Sequence, residues 1–331
     1  MNPLRSALRR FPAALAAACL LAGLAWTAGS QAQTWPSRPI RLIVPFPPAG
    51  STDIVARTVA ERLGAGLGQQ VVVENRAGAT GAIGLEALAR SAPDGYTIGL
   101  GTIGSIAINP LVSRNLTWEP TRDFAPIGLV GSTPFAIIVN SLLPSRSLPE
   151  FIALAKAKPG ELSYATGGIG GSQHLAAALL EEMAGISLHH VPYKGSGPAL
   201  TDLIGGQVSS MIEPAVSAAP HVKSARVRLL ALTGARRSAA FADTPTVAET
   251  VPGYDVSAWF ALFAPAGTPT EVIARLGAEL QRALAAPELN ERFAQAGVDV
   301  SYASPEQMRT FLRAELDKWG RVVRKLNLGQ Q

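Results

Sequence analysis

Short apolar runs alternate along this chain with longer stretches whose apolar positions recur at helical spacing, the pattern of layered α/β structure. Ile40 to Val44 reads as a buried strand, stopped by Pro45-Phe46-Pro47-Pro48-Ala49-Gly50. Ser51, Thr52 or Asp53 is expected to cap a helix whose apolar face carries Val55, Val59 and Leu63, with Gly64, Gly66 and Gly68 ending it. Val71-Val72-Val73 follows as a strand, Gly78 to Ala89 as a loop and helix, and Tyr96 to Thr102 as a third strand. That succession implies right-handed parallel crossovers. The long apolar segment Phe124 to Val139 is read as running between two lobes.

A second strand–helix series then begins. Leu148 to Lys158 reads as a helix, Leu162 to Thr166 as a strand, and Ser172 to Ala184 as a helix with Leu175, Leu179 and Met183 aligned. His189 to Pro192, Val208 to Ile212 and Val227 to Thr233 are short strands, and Tyr254 to Ala264 is a returning one. From Thr270 onward the chain reads as helical, with Met308, Leu312, Leu316, Trp319 and Val323 forming one stripe that suits a packed core. The expected lobes are residues 33–132 with 255–331, and residues 133–254.

Residues 1–32 change the picture. Arg5, Arg9 and Arg10 precede an Ala/Leu-rich apolar stretch, and Ser30-Gln31-Ala32 offers small residues at a cleavage site. This is the layout of a secretory signal peptide cut after Ala32, so a periplasmic location is expected. Pro12, Gly23 and Gly29 argue against a spanning anchor. The single cysteine, Cys19, leaves with that leader, and with it go disulfides and thiolate metal ligands. Removing the three leader arginines also brings the net charge of +5 close to neutral. No dense basic stripe remains for nucleic acid.

Catalytic templates are not matched. His174, His189, His190 and His221 form no H-E-x-x-H arrangement, and the chain contains no G-x-S-x-G elbow. His189 and His190, adjacent on a strand, point to opposite faces and cannot share a metal ion. Gly78 to Gly84 lacks nucleotide-binding spacing. Ser172 and His174, on one helical turn, make a poor nucleophile–base pair. No enzyme, metal or cofactor is expected.

Two segments remain, each a strand, then a Gly/Pro-rich turn with hydroxyls, then a helix start. One is Pro47 to Asp53 and the other Tyr164 to His174. A helix start presents unpaired amides and the positive end of the dipole, and glycines allow close approach. The pair therefore reads as an anion cradle that needs no lysine or arginine.

The chain resembles the Bug family, the solute-binding components of tripartite tricarboxylate transporters. The matching stretches run in order and include WPSRPIRLIVPFPPAGSTDIVAR (Trp35 to Arg57), VVVENRAGATGAIG (Val71 to Gly84), LSYATGGIGGSQHLAAALL (Leu162 to Leu180) and AWFALFAPAGTP (Ala258 to Pro269). The resemblance implies a type II-like, two-lobed periplasmic binding fold. Each lobe would be a mostly parallel sheet flanked by helices, closing on a small carboxylate. It also implies integral membrane permease subunits as partners, and a monomer is expected.

Carried over residue by residue, the first loop would offer Phe46, Pro48, Ala49, Gly50, Ser51 and Thr52 to the ligand. The second would offer Thr166, Gly168, Gly170, Ser172 and His174, with Thr102 lining the cleft. Ala49 stands where the family usually has a second glycine, and Glu213 where Asp is common. Glu213 reads either as the partner of a ligand ammonium or as a cap for a helix near Ala215, and the cap is preferred. His174 reads as a ligand contact or as packing in the first helical turn, and the packing is preferred.

Overall fold

Why the chain forms one sheet is clearest at its apolar runs. Ile40, Leu42, Ile43 and Val44 of β1 (Ile40–Val44) are fully buried, so this strand can only be central. It lies parallel between β2 (Val71–Asn75) and β3 (Thr97–Thr102). The connections are α1 (Ser51–Leu67) and α2 (Ala82–Ala89). The computed structural model describes residues 35–325 except 235, 239 and 240, together with Leu328. The leader read in residues 1–32 lies outside the described residues. From Arg38 onward the described residues form one compact unit.

The remaining strands are β4 (Phe124–Asn140), β5 (Ser163–Thr166), β6 (His189–Pro192), β7 (Ser210–Pro214), β8 (Val227–Leu232), β9 (Ser257–Pro265) and β10 (Asp299–Ala303). Their order is β2-β1-β3-β9-β4-β7-β5-β6, with β8 and β10 also on β4. The other helices are α3 (Asn109–Val112), α4 (Pro120–Asp123), α5 (Leu148–Ala157), α6 (Ser172–Ala184), α7 (Ser196–Ile204), α8 (Ala215–Lys223), α9 (Thr270–Ala285), α10 (Pro287–Gln295) and α11 (Pro305–Lys325). A mixed, curled sheet flanked by helices is the result.

β4 holds the sheet together. Residues 124–134 pair with β9, and Phe135–Asn140 pair with β7 and β8. Gly128 and Gly131 let β10 approach, since a β-carbon there would meet Ala303 O at 2.9 Å or Asp299 O at 2.6 Å. Where β4 changes partners, the buried Thr233 hydroxyl accepts from Phe135 N at 2.8 Å and donates to Val256 O at 2.6 Å. Thr233 N also bonds Phe135 O, and Val256 N bonds Thr233 O, each at 2.9 Å. One residue thereby ties together three separate crossings of the chain.

Most elements lie where the apolar periodicity predicts them, with four differences. Gly64 and Gly66 fall inside α1, and Gly68 alone, at φ 68°, ends it. On α6 the inward face is His174, Leu175, Ala176, Ala177 and Leu180, while Leu179 is half-buried and Met183 exposed. β7 begins two residues later than the run from Val208 suggests, because Ser210 rather than Val208 pairs with Val139. The C-terminal region is not helical throughout, since β10 interrupts it. The α11 stripe packs inward through Met308, Leu312, Trp319 and Val323, and the buried Glu315 carboxylate accepts both indole N–H groups, from Trp259 at 2.8 Å and Trp319 at 3.1 Å.

Candidate functional site

The first loop leaves β1 and enters α1 without a side-chain cap. Gly50 is the N-cap, in extended conformation, and the first helical bond runs from Ile54 N to Gly50 O. Ser51, Thr52 and Asp53 are therefore the residues whose amides open the helix, not its caps. Asp53, three residues into the turn, reaches back to accept from Ala49 N at 3.0 Å, from Arg57 Nε at 2.9 Å and from Asn75 Nδ2 at 2.9 Å. Asn75 Nδ2 also donates to Phe46 O at 3.0 Å. Burial raises the Asp53 pKa, but the hydrogen bonds from Arg57, Ala49 and Asn75 outweigh it and hold the carboxyl below its usual value. An ionised acid thus fixes the loop from beneath.

Pro48, Ala49 and Gly50 are exposed, and a β-carbon on Gly50 would meet little beyond Pro47 O at 3.8 Å. Ala49 has φ 66°, a left-handed conformation in which its methyl is strained. Ala49→Gly should relieve about 1–2 kcal/mol of that strain, offset in part by about 0.4–1 kcal/mol of added unfolded-chain entropy. A small rise in the urea midpoint is expected, and a fall would show that the methyl contributes more than it strains.

The second loop is tied down by three side chains. Gly167 N donates to Gln173 Oε1 at 2.6 Å, Gly170 N to His174 Nδ1 at 3.0 Å, and the Thr166 hydroxyl meets His190 Nε2 at 2.7 Å. Thr166 Oγ1 also donates to Gly168 O at 3.1 Å. The rings of Tyr164, His190 and His174 form a column, with centroids 4.8 and 4.1 Å apart. Burial lowers the pKa of both histidines, that of His190 to about 4, so both stay neutral near neutral pH. His174 Nδ1 accepts from Gly170 N, and His190, protonated at Nε2, donates to the Thr166 oxygen whose own proton goes to Gly168 O. Gly171 is the N-cap of α6, and its first helical bond is Leu175 N to Gly171 O. The amides of Ser172, Gln173 and His174 thus open the helix, as in the first loop.

This sorts the expected site residues. Thr166, Gly170 and His174 use polar groups to hold the loop, a supporting role that stands beside the ligand contact expected of each. Thr102 is similar. Its hydroxyl accepts from Ser105 N at 3.2 Å while its own amide donates to Ser105 Oγ at 3.1 Å, capping the π-helical turn Ile103–Ile108. Among the described residues the Ser172 side chain has no such duty, and Gly168 meets only Thr166 Oγ1, through its carbonyl at 3.1 Å and its amide at 3.4 Å.

The loops meet through short intermediates. A β-carbon on Gly104 would lie 3.4 Å from Ser172 Oγ, one on Gly171 would lie 3.9 Å from Thr80 Cγ2, and one on Gly81 would lie 3.6 Å from Phe46 Cζ. Phe46, the 79–81 turn and the start of α6 therefore form a continuous surface. Beside it a cavity of about 200 Å³ is lined by Val112, Ser113, Ile169, Gly170, His174 and Leu328. A larger open hollow of about 550 Å³ lies at the opposite end of α1, around Gly64, Gly68 and Val72, away from both loops.

Glu213 caps nothing. The α8 helix has Pro214 at its N-cap and no side-chain cap. Glu213 is instead a fully buried residue of β7 whose carboxylate accepts from Gln173 Nε2 and from the hydroxyls of Ser196 and Ser217. Burial pushes its pKa up to about 7 despite those bonds. Among the described residues, no cluster of His, Cys, Asp and Glu suits a metal ion.

The sequence reading assigned no loop-supporting role to Asp53, Asn75, Gln173 or His190. Asp53 carried a signal, since an acid three residues past a helix start commonly reaches back across the turn. Asn75 and His190 act on loops from distant points of the chain, and no local spacing marks them, whereas Gln173 lies in the second segment itself, six residues from Gly167.

Residues 55–328 match the family model described as the tripartite tricarboxylate transporter family receptor. Protein BugT of Bordetella pertussis is 40% identical over 296 residues, which cover 89% of this chain and 91% of BugT. Among solved structures, R. palustris Rpa4515 with adipate is 35% identical with a TM-score of 0.86, over 90% of this chain and 100% of that one. MatC (Rpa3494) from Rhodopseudomonas palustris with bound malate is 31% identical with a TM-score of 0.80, over 87% of this chain and 100% of that one.

Proposed function

The chain belongs to the tripartite tricarboxylate transporter receptor family, and from that premise we propose that it is a periplasmic solute-binding protein that captures a small carboxylate. The family is one of receptors, and the chain is not an enzyme. The observation that carries the reading is the pair of helix starts at Ser51 and Ser172. Each is uncapped by a side chain, and each follows a parallel strand. Ligands of such sheets sit beyond the carboxyl ends of the strands, where amides and dipole favour an anion. Adipate and malate in the two related structures support the same chemistry.

In this reading residues 33–132 and 255–331 form one lobe and residues 133–254 the other. They close on the ligand about β4 and the Thr233 junction. Gly50, Ser51, Thr52 and Ser172 make the direct contacts, and Phe46, Pro48, Ala49 and Gly168 shape the walls. The loaded protein, a monomer, delivers its ligand to integral membrane permease subunits. A dicarboxylate, a tricarboxylate, an amino acid and an aromatic acid are the candidate ligands.

Calorimetric titration with adipate, malate, citrate, glutamate and benzoate tests this. At least one is expected to bind and to raise the melting temperature, by the mass-action effect of a ligand that binds only the folded state. If all five leave heat and melting unchanged, the reading fails.

A further inference from the structure

The two loops are supported by matching devices: a buried acid joined to a carboxamide. Under the first loop these are Asp53 and Asn75, and under the second Glu213 and Gln173. The first acid touches its loop directly, at Ala49 N. The second does not. Glu213 meets Gln173 Nε2, and the other end of that amide, Oε1, accepts from Gly167 N at 2.6 Å.

A carboxylate can only accept hydrogen bonds, so it demands the NH₂ end of Gln173. That leaves the oxygen end, and only that end, facing Gly167 N–H. Ser196 closes the triangle, accepting from Gln173 Nε2 at 3.1 Å and donating to Glu213. Turning the Gln173 amide over would set NH₂ against the Gly167 N–H, two donors with no acceptor. The glycine run from Gly167 to Gly171 would then lose the side-chain tie at its start, keeping those at Gly168 and Gly170.

We propose that Glu213 is a positioning residue for carboxylate capture, fixing the second loop by dictating which end of Gln173 faces the Gly167 amide. The proposal rests on the carboxylate-binding reading for its function, while its structural half stands alone.

The pH consequence follows from the neighbours. Of the elements packed on β7, β4 brings no titratable side chain in Phe135–Asn140. The others carry Tyr164 (β5), His174, Glu181 and Glu182 (α6), Asp202 (α7), and His221 and Lys223 (α8). None of these is among the causes of the Glu213 shift, which are burial followed by Ser196, Ser217 and Gln173. Protonation as the pH falls through about 7 gives Glu213 an O–H donor that tolerates either end of the amide. Wild-type affinity should therefore weaken as the pH falls through that value.

The experiment uses the full mature chain as wild type, Glu213→Gln, Gln173→Ala and the double variant. Amide hydrogen exchange at Gly167 is read by NMR, with Leu175 as the control, and adipate affinity is read by calorimetry between about pH 8 and about pH 6. Gly167 exchange is expected to quicken by about tenfold or more in both single variants while Leu175 stays protected. Adipate binding should weaken by about tenfold in each, and Glu213→Gln should add nothing to Gln173→Ala, because both act by one route. Glu213→Gln should also lose the pH dependence. Because it removes a buried charge, it should fold even if Gln173→Ala does not.

Unchanged Gly167 exchange in Glu213→Gln, or effects that add in full in the double variant, would overturn the proposal. If wild type ignores adipate and every other carboxylate, that failure falls on the binding reading, and Gly167 exchange still decides the positioning claim.

Discussion

Replacing Thr233 by valine is expected to destabilise the protein by about 2–5 kcal/mol, although the two side chains have the same shape. The hydroxyl serves two buried backbone groups that nothing else reaches by side chain, accepting from Phe135 N and donating to Val256 O. Valine would strand one donor and one acceptor, each costing about 1–3 kcal/mol when buried without a partner. Urea unfolding of Thr233→Val and Thr233→Ser separates the contributions. Serine keeps the hydroxyl and should recover most of the loss, whereas equal damage from both would assign the cost to the methyl instead. The site lies where β4 exchanges β9 for β7 and β8, so the same substitution should loosen whatever relative movement the proposed lobes make.

Asp53→Ala should have the largest effect on ligand capture. It removes the acceptor of Ala49 N, Asn75 Nδ2 and Arg57 Nε together, releasing the first loop from the end of β2. A stability loss of about 1–2 kcal/mol is expected, because Ala49 is exposed and the half-buried Asn75 keeps its bond to Phe46 O, so the donors left behind are not stranded. If about 1.4 kcal/mol of that is loop positioning, adipate affinity falls about tenfold, and further if the α1 amides splay. Asp53→Asn keeps an acceptor and should bind more tightly than the alanine variant.

The pH signs of the two buried acids are opposite. The Asp53 pKa is lowered in the folded state, so its stabilisation is present above the unfolded value of about 4 and disappears as the pH drops through the folded one. The Glu213 pKa is raised to about 7, so its folded form holds the extra proton and stability declines as the pH climbs from about 4 towards 7. Acid titrations of Asp53→Asn and Glu213→Gln, followed by melting temperature, should each lose one of these slopes. Retention of both slopes would mean other groups carry them.

What the sequence disclosed about the fold was tied to its punctuation. Pro45 to Gly50 and Gly68 bound β1 and α1 because proline and positive-φ glycine act locally. The apolar runs at Phe124 and Tyr254 announced buried strands, and the stripe on α11 announced a packed helix. β10 was hidden because Asp299-Val300-Ser301-Tyr302-Ala303 is short, half-exposed and flanked by helices.

For the candidate site, the two turns were legible as glycine-rich helix starts, but the division of labour within them was not. Thr166, Gly170 and His174 look like ligand donors in one dimension. In three dimensions they also fasten the loop, and the His190 ring that Thr166 meets comes from another strand. Glu213 illustrates the same limit, since its partner Gln173 lies on α6, forty residues upstream.

The pairing of β3 with β9 has a consequence for how the polypeptide is made. Thr102 must find Phe260, and Gly99 must find Phe263, so one edge of the early sheet stays open until the far end of the chain emerges. Non-local pairing of this kind slows folding. A nascent chain whose β3 edge stays open remains threadable for longer, which would suit the periplasmic destination proposed above.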